Sequence, residues 1–283
     1  DCSMEIMKIA LGDLRHKTVG SNNSFMPLNI GNLATSTIAR LGEKAVEIRL
    51  YTDAEKLLAD IDTWKPSVLG LTNYCWSSEL SRLVFEYAKK ANPATVCVSG
   101  GPHFPIVDSE CHKYLMKRKD IDFYVYMEGE EAFARLMDTL RDTSNSLDFL
   151  KSQPHPNIMT IHPRKRSLVR GEILPRIMDM DIIPSPYLSG IMDQFFDGNH
   201  APMIETARGC PYQCAFCFVG LDEYKDLAKF SLDRVKADLS YIAERMHGFQ
   251  SSLLCICDSN FGMYQRDEEI AFHIRTLQDK YDW

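Results

Sequence analysis

At 283 residues, with 45% apolar and 25% charged side chains, the chain has room for two domains and the composition of a soluble globular protein. Its net charge of -7 excludes a general attraction to nucleic acid or anionic lipid, and no apolar run approaches the length of a membrane span. Nine cysteines are too sparse here for a secreted disulfide scaffold, which points to a reducing, cytoplasmic setting.

From the N-terminus, short β-type runs at 6–11, 45–50, 67–72, 95–99 and 122–127 alternate with helical patterns near 28–41, 53–63, 77–91, 105–118 and 129–142. Ala132, Phe133, Leu136, Met137 and Leu140 form one apolar stripe at helical spacing in the last of these. Five βα units in succession predict an α/β, Rossmann-like doubly wound parallel sheet, which binds ligands at the carboxyl ends of its strands. The loops there begin at Gly12-Asp13-Leu14-Arg15-His16, at Thr72-Asn73, at Ser99-Gly100-Gly101-Pro102-His103 and at Glu128-Gly129-Glu130. Paired glycines let backbone approach a ligand closely. None of these loops is a GxGxxG or Walker A motif, so nucleotide binding of those kinds is not supported.

Residues 143–200 change character. Segments 157–162 and 168–173 form a hairpin pattern across the basic turn His162–Arg166, and the prolines of 182–187 favour an extended linker. A short strand at 202–207 then leads into Arg208-Gly209-Cys210-Pro211-Tyr212-Gln213-Cys214-Ala215-Phe216-Cys217. Ser231 caps a helix carrying Leu232, Val235, Leu239, Ile242 and Met246 on one face. A strand at 252–257 comes next, then Asp258-Ser259-Asn260-Phe261 and a helix over 267–279.

Cys210, Cys214 and Cys217, spaced Cys-x3-Cys-x2-Cys, place three soft thiolates on one short loop. A structural zinc site closes its tetrahedron with a fourth Cys or His at regular spacing, and none stands nearby. A 4Fe-4S cluster with one iron left open to another ligand suits three cysteines better. The remaining cysteines, Cys75, Cys97, Cys111, Cys255 and Cys257, mostly lie in or beside apolar runs and read as small buried hydrophobes.

The cysteine spacing, with an aromatic before the third Cys, resembles the signature of radical S-adenosylmethionine (SAM) enzymes. The upstream order of Pro27–Ala34, Lys65–Thr72, Gly100–His103 and Glu128–Glu130 resembles the cobalamin-binding domain that precedes many of them. The resemblance implies domains at 1–142 (cobalamin-binding type), 143–200 (linker with the hairpin) and 201–283 (the first part of a radical SAM partial barrel). It implies that Cys210, Cys214 and Cys217 ligate the cluster and that Phe216, Asp258 and Asn260 lie at the SAM. It further implies that Thr72, Asn73, Ser99, Gly100, Gly101, His103, Glu128, Gly129 and Glu130 line the corrinoid. Cobalamin domains of this kind present a cobalt-ligating His in Asp-x-His-x-x-Gly; here Asp13 to Gly20 is longer on each side of His16, which argues against that role.

The implied chemistry is reductive cleavage of SAM to a 5′-deoxyadenosyl radical, followed by methyl transfer to an unactivated carbon of a small-molecule or natural-product substrate. Flavodoxin or ferredoxin would be the electron donor, and neither nucleic acid nor membrane is expected. Two alternatives stay open: radical rearrangement, cyclisation or sulfur insertion without methyl transfer, and a non-catalytic corrinoid- or cluster-binding module. A βα unit needs roughly thirty residues, so the segment from Cys217 to Trp283 has room for two units. With Asp1 in place of Met at the start, a fragment of a longer protein is expected, incomplete for catalysis.

Overall fold

The computed structural model describes residues 6–16, 24–142, 144–220, 222–249 and 253–283. It divides into two compact units, one drawn from 1–17 and 36–175, the other from 18–35 and 176–283. No helix among the described residues is long and apolar enough to cross a membrane.

The first unit is built on β1 (Met7–Gly12), which is followed by β2 (Ser24–Phe25) and α1 (Leu28–Leu41), two elements that lie wholly or partly in the second unit. Next come β3 (Val46–Tyr51), α2 (Ala54–Thr63), β4 (Val68–Thr72), α3 (Ser78–Ala91), β5 (Val96–Gly100), α4 (Asp108–Lys117), β6 (Phe123–Val125) and α5 (Glu130–Leu140). A short α6 (Leu147–Lys151) precedes β7 (Ile158–Ile161) and β8 (Leu168–Arg170). Strand order in the sheet is β3-β1-β4-β5-β6-β7-β8. The first five strands are parallel and β7 and β8 return antiparallel.

Every residue of β4 and the last four of β1 are buried, as a sheet covered on both faces requires. Leu57, Leu69, Val84, Phe85 and Ala88 bring α2 and α3 onto that sheet. Counted along the chain, the parallel strands run 2-1-3-4-5, so the winding reverses between β1 and β4, where such sheets open a crevice.

The hairpin expected in 143–200 forms, and it extends the sheet instead of standing apart from it. Ile158 and Met159 pair with Val125 and Tyr124, so hydrogen bonding draws it into the first unit. The basic turn holds itself through His162 Nδ1, which accepts from the Arg164 and Lys165 amides at 3.2 Å. Cys97 and Cys111 are buried, whereas Cys75 is exposed.

In the second unit β2 pairs with β9 (His200–Ala201). The strand expected at 202–207 is two short ones, β10 (Met203–Ile204) and β11 (Ala207–Arg208), separated by a bend at Glu205-Thr206. β11 pairs antiparallel with β12 (Ala228–Lys229), so 209–227 is a loop closed at its root. After α7 (Leu232–Met246), β13 (Cys255–Ile256) pairs parallel with β10 and leads into α8 (Gln265–Tyr281). Ser231 Oγ accepts from the Arg234 amide and caps α7 as its position predicts. Val235, Leu239, Ala243, Ile270 and Leu277 bury one core between α7 and α8. In 182–187 the backbone is held rather than slack, because Thr35 Oγ1 donates to the Pro184 carbonyl and Ser185 Oγ to Asp238 Oδ1.

Candidate functional site

At the crevice of the first unit the strand ends are joined by buried polar groups. Thr72 Oγ1 donates to Asp13 Oδ1 at 2.8 Å, and Arg15 donates to Asp13 Oδ2 at 2.8 Å. Thus the reversal between β1 and β4 is bridged by a carboxylate that is 3% exposed. Next along, the Asn73 side chain donates to the His103 carbonyl (2.6 Å) and to Tyr124 Oη (2.8 Å), and Tyr124 donates to the Gly101 carbonyl at 2.8 Å. Gly101 has φ +137, and a Cβ there would stand 2.7 Å from the Asn73 carbonyl oxygen, so only glycine fits.

Thr72, Asn73, Gly100, Gly101 and His103, expected to line a ligand, are therefore brought into one network at the carboxyl edge. Thr72, Asn73 and Ser99 are buried and hold the loops, while Gly101 and His103 are at the exposed rim. Glu128, Gly129 and Glu130 start α5 at the same edge, where the Asn157 side chain donates to the Glu128 carbonyl at 3.2 Å. His16 Nε2 lies 2.9 Å from the Trp76 carbonyl oxygen, so that ring nitrogen is occupied by backbone. The rest of the expected motif, Lys17 to Gly20, lies outside the described residues, as do Asp1 and Ser252.

Tyr124 and Asn157 were not singled out by sequence. Tyr124 looks like any apolar residue of a buried strand, and only its phenol oxygen distinguishes it. Asn157 takes φ +52, which Asn tolerates better than most residues, and this is a weak signal in sequence.

In the second unit the cysteine loop leaves β11 through Gly209, whose φ of +115 and close approach to the Asp226 carbonyl exclude a side chain. The Cys210 amide donates to the Tyr224 carbonyl at 2.8 Å, and the Cys217 amide to the Cys214 carbonyl at 3.0 Å. Arg176 braces the root by donating to the carbonyls of Asp226 (2.6 Å) and Arg208 (3.4 Å). Cys210 is buried, Cys214 and Cys217 are exposed, and none is in a disulfide. Among the described residues no three His, Cys, Asp or Glu side chains converge as a metal set, so the thiols are carried on one loop but not gathered. The donor chemistry fits an iron–sulfur cluster, because between Arg208 and Phe218 the loop offers sulfur and neither His nor carboxylate.

Against the root of that loop lies a cleft of about 210 Å³, counting the solvent at its mouth, lined by Gly209, Leu227, Asp258, Asn260, Tyr264 and Asp267. Asp258 accepts from the Thr206 amide (2.6 Å) and the Thr206 hydroxyl (2.5 Å). Burial pushes its carboxyl above the usual carboxylate range, opposed by those donors. Asn260 Nδ2 is buried without a hydrogen-bond partner among the described residues. An unmatched buried donor at a cleft is a place for a ligand acceptor, since leaving it unpaired costs about 1–3 kcal/mol. Asp267 Oδ2 accepts from the amides of Gly262 and Tyr264, fixing the loop that carries Tyr264. Asp258 and Asn260 thus line the same cleft as Gly209, at the root of the cysteine loop. The Phe216 side chain does not join them, being 93% exposed. Thr206 and Tyr264 carry no signal in the sequence, for neither stands in a spaced motif.

No family model matches the chain. Among curated proteins it is 33% identical over 221 residues to the 2-(S-pantetheinyl)-carbapenam-3-carboxylate methyltransferase of Streptantibioticus cattleyicolor, a match spanning 76% of this chain and 30% of that protein. It is 30% identical over 277 residues to the cobalamin-dependent radical SAM methyltransferase TokK of Streptomyces tokunonensis, across 89% of this chain and 37% of that one. Among solved structures it matches the cobalamin-dependent S-adenosylmethionine radical enzyme OxsB with aqua-cobalamin and S-adenosylmethionine bound, at TM-score 0.71 and 16% identity, over 99% of this chain and 38% of that one. The chain therefore spans about a third of the length of the curated relatives it matches.

Proposed function

We propose, for a chain that belongs to the cobalamin-binding-domain-containing radical SAM family, that it is part of a cobalamin-dependent radical SAM methyltransferase. On this reading Cys210, Cys214 and Cys217 hold a 4Fe-4S cluster. The Asn260 amide and the backbone at Phe216 contact SAM, Asp258 stands at the same strand end with its carboxylate held by Thr206, and the rim from Thr72 to Glu130 carries the corrinoid. Residues 1–142 and 201–283 are then the corrinoid unit and the start of the barrel, with 143–200 connecting them and its hairpin of β7 and β8 paired onto the first unit's sheet. When bound, these groups supply one-electron reduction of a sulfonium and a methyl carrier. The protein's own part is to present three thiols on a rooted loop, to keep an unpaired amide donor beside it, and to hold a glycine-lined rim open in the other unit.

The observation that carries the reading is the cleft beside Gly209, where Asn260 Nδ2 waits unpaired at the root of the cysteine loop. Methyl transfer to a small-molecule or natural-product substrate is supported by the two curated relatives, both methyltransferases by name. A cytoplasmic location with a flavodoxin- or ferredoxin-type donor suits exposed thiols that form no disulfide among the described residues.

Anaerobic reconstitution of the full chain with ferrous iron and sulfide tests this. The expected result is a brown protein with an iron–sulfur charge-transfer band, retention of added hydroxocobalamin through gel filtration, and loss of the band in Cys214→Ala. A band that survives Cys214→Ala sinks the cluster assignment. Cobalamin that fails to co-elute removes methyl transfer and leaves radical chemistry of the rearrangement or cyclisation kind.

A further inference from the structure

Asp258 has a role different from that of its neighbour Asn260, and the hydrogen bonds say which. Its two carboxylate oxygens are both taken by the chain: Oδ1 by the Thr206 amide at 2.6 Å and Oδ2 by the Thr206 hydroxyl at 2.5 Å, with a further contribution from the Ala207 amide. Thr206 is completely buried, so water does not compete for these bonds. Thr206 also sits at a particular place, in the bend between Ile204 of β10 and Ala207 of β11. Its carbonyl accepts from the Phe230 amide at 3.1 Å, just beyond β12. One residue thus ties together the end of β13, the entry to the cysteine loop and its exit.

The bend needs such a tie. β10 pairs with β13 and β11 pairs with β12, so the chain changes partner within Glu205-Thr206 and the Thr206 amide lies in neither ladder. A buried N–H outside a ladder must find another acceptor, and Asp258 is that acceptor. Asn260, two residues on, contrasts with it: its amide nitrogen is buried and has no hydrogen-bond partner among the described residues.

We propose that Thr206 and Asp258 form a buried clamp that sets the root of the cysteine loop. Asp258 is then a positioning residue acting through Thr206, while the ligand contact at this strand end falls to Asn260. The division of labour rests on the reading of Cys210–Cys217 as a cluster loop, but the clamp itself is a property of the metal-free chain.

The experiment compares Thr206→Val, Thr206→Ser, Asp258→Ala and Asn260→Ala in the full chain. In the metal-free proteins, trypsin cleavage within 209–227 is followed by intact mass. Thr206→Val and Asp258→Ala raise its rate several-fold, and Thr206→Ser, which keeps the hydroxyl, restores the parent rate. After reconstitution, iron bound per chain falls in Thr206→Val and Asp258→Ala but not in Asn260→Ala. SAM affinity per cluster, by equilibrium dialysis, falls about tenfold in Asn260→Ala, the value of one lost hydrogen bond, and is unchanged in Asp258→Ala. Asp258→Ala that loads iron normally yet loses SAM affinity overturns the proposal, as does Thr206→Val that is cleaved at the parent rate. Should Asp258→Ala fail to fold, the Thr206→Val and Thr206→Ser pair still decides. A parent chain that takes up no iron counts against the cluster reading, and the cleavage rates then judge the clamp separately.

Discussion

Tyr51, Asp60 and Arg49 show how single side chains tune this protein. Tyr51 Oη donates to Asp60 Oδ2 at 2.5 Å and Arg49 donates to the same oxygen at 3.0 Å, and the tyrosine bond first, then the guanidinium, holds the Asp60 carboxyl below its ordinary range despite some desolvation. A depressed carboxyl favours the folded state above its unfolded value and loses that advantage as pH falls through the folded value. Tyr51→Phe therefore lowers the melting temperature at neutral pH, and the gap to the parent closes as the solution is acidified below the ordinary carboxylate range. A gap that is constant with pH would refute this. Asn73 is a second case. Its side chain serves two acceptors in a buried setting, the His103 carbonyl and Tyr124 Oη, so Asn73→Ala should cost about 2–3 kcal/mol in urea melts. Neither role is visible in sequence, where Asn73 is one polar residue after a strand and Asp60 one acid on a helix.

Among the elements, helices α1 to α5 and strands β1, β3, β4, β5 and β6 appear where apolar spacing and capping place them, because these are local properties of the chain. The elements that differ are those whose extent is set by pairing. The single strand expected at 202–207 is broken in two, since its halves find different partners in β13 and β12. The hairpin of β7 and β8 is local, but its attachment to β6 depends on which edge of the sheet is free. Turn glycines show the same split. Gly101 stands out in sequence as half of a Gly-Gly pair, yet the reason it must be glycine is the Asn73 carbonyl from another loop. Gly101→Ala is expected to cost about 1–3 kcal/mol from the positive φ alone, with added loss from the clash. Thermal melting of this variant, together with retention of hydroxocobalamin, would check it; parent-like behaviour in both would contradict the close approach. At the start of α7, Ser231→Ala removes the acceptor for the Arg234 amide and should cost about 1 kcal/mol by the same melts.

At the scale of the molecule each of the two units buries apolar side chains of its own. Ala10, Leu57, Leu69 and Phe85 belong to one, and Val235, Leu239, Ile242 and Ile270 lie buried within the other unit. Leu239→Ala empties a fully buried site between α7 and α8 and is expected to destabilise by about 2–5 kcal/mol. Hydrogen exchange should show the loss of protection concentrated in α7, α8, β10 and β13, which share that core. Loss spread equally into β1, β4 and β5 would argue against this division.

From sequence alone came the alternating α/β class, the three thiols of Cys210, Cys214 and Cys217 on one loop, the glycine pair at the sheet edge and the pattern shared with cobalamin-linked radical SAM proteins. All of these are local, carried by residue type and spacing. Tertiary structure decided the 2-1-3-4-5 order that puts the crevice between β1 and β4, the network joining Asn73, Tyr124 and Gly101, the closing of the cysteine loop by β11 and β12, and the different hydrogen bonding of Asp258 and Asn260. Each depends on an acceptor or a strand edge distant in the chain, as Thr206 and Asp258 do at 52 residues apart, and no local spacing encodes which distant group will meet an unpaired amide.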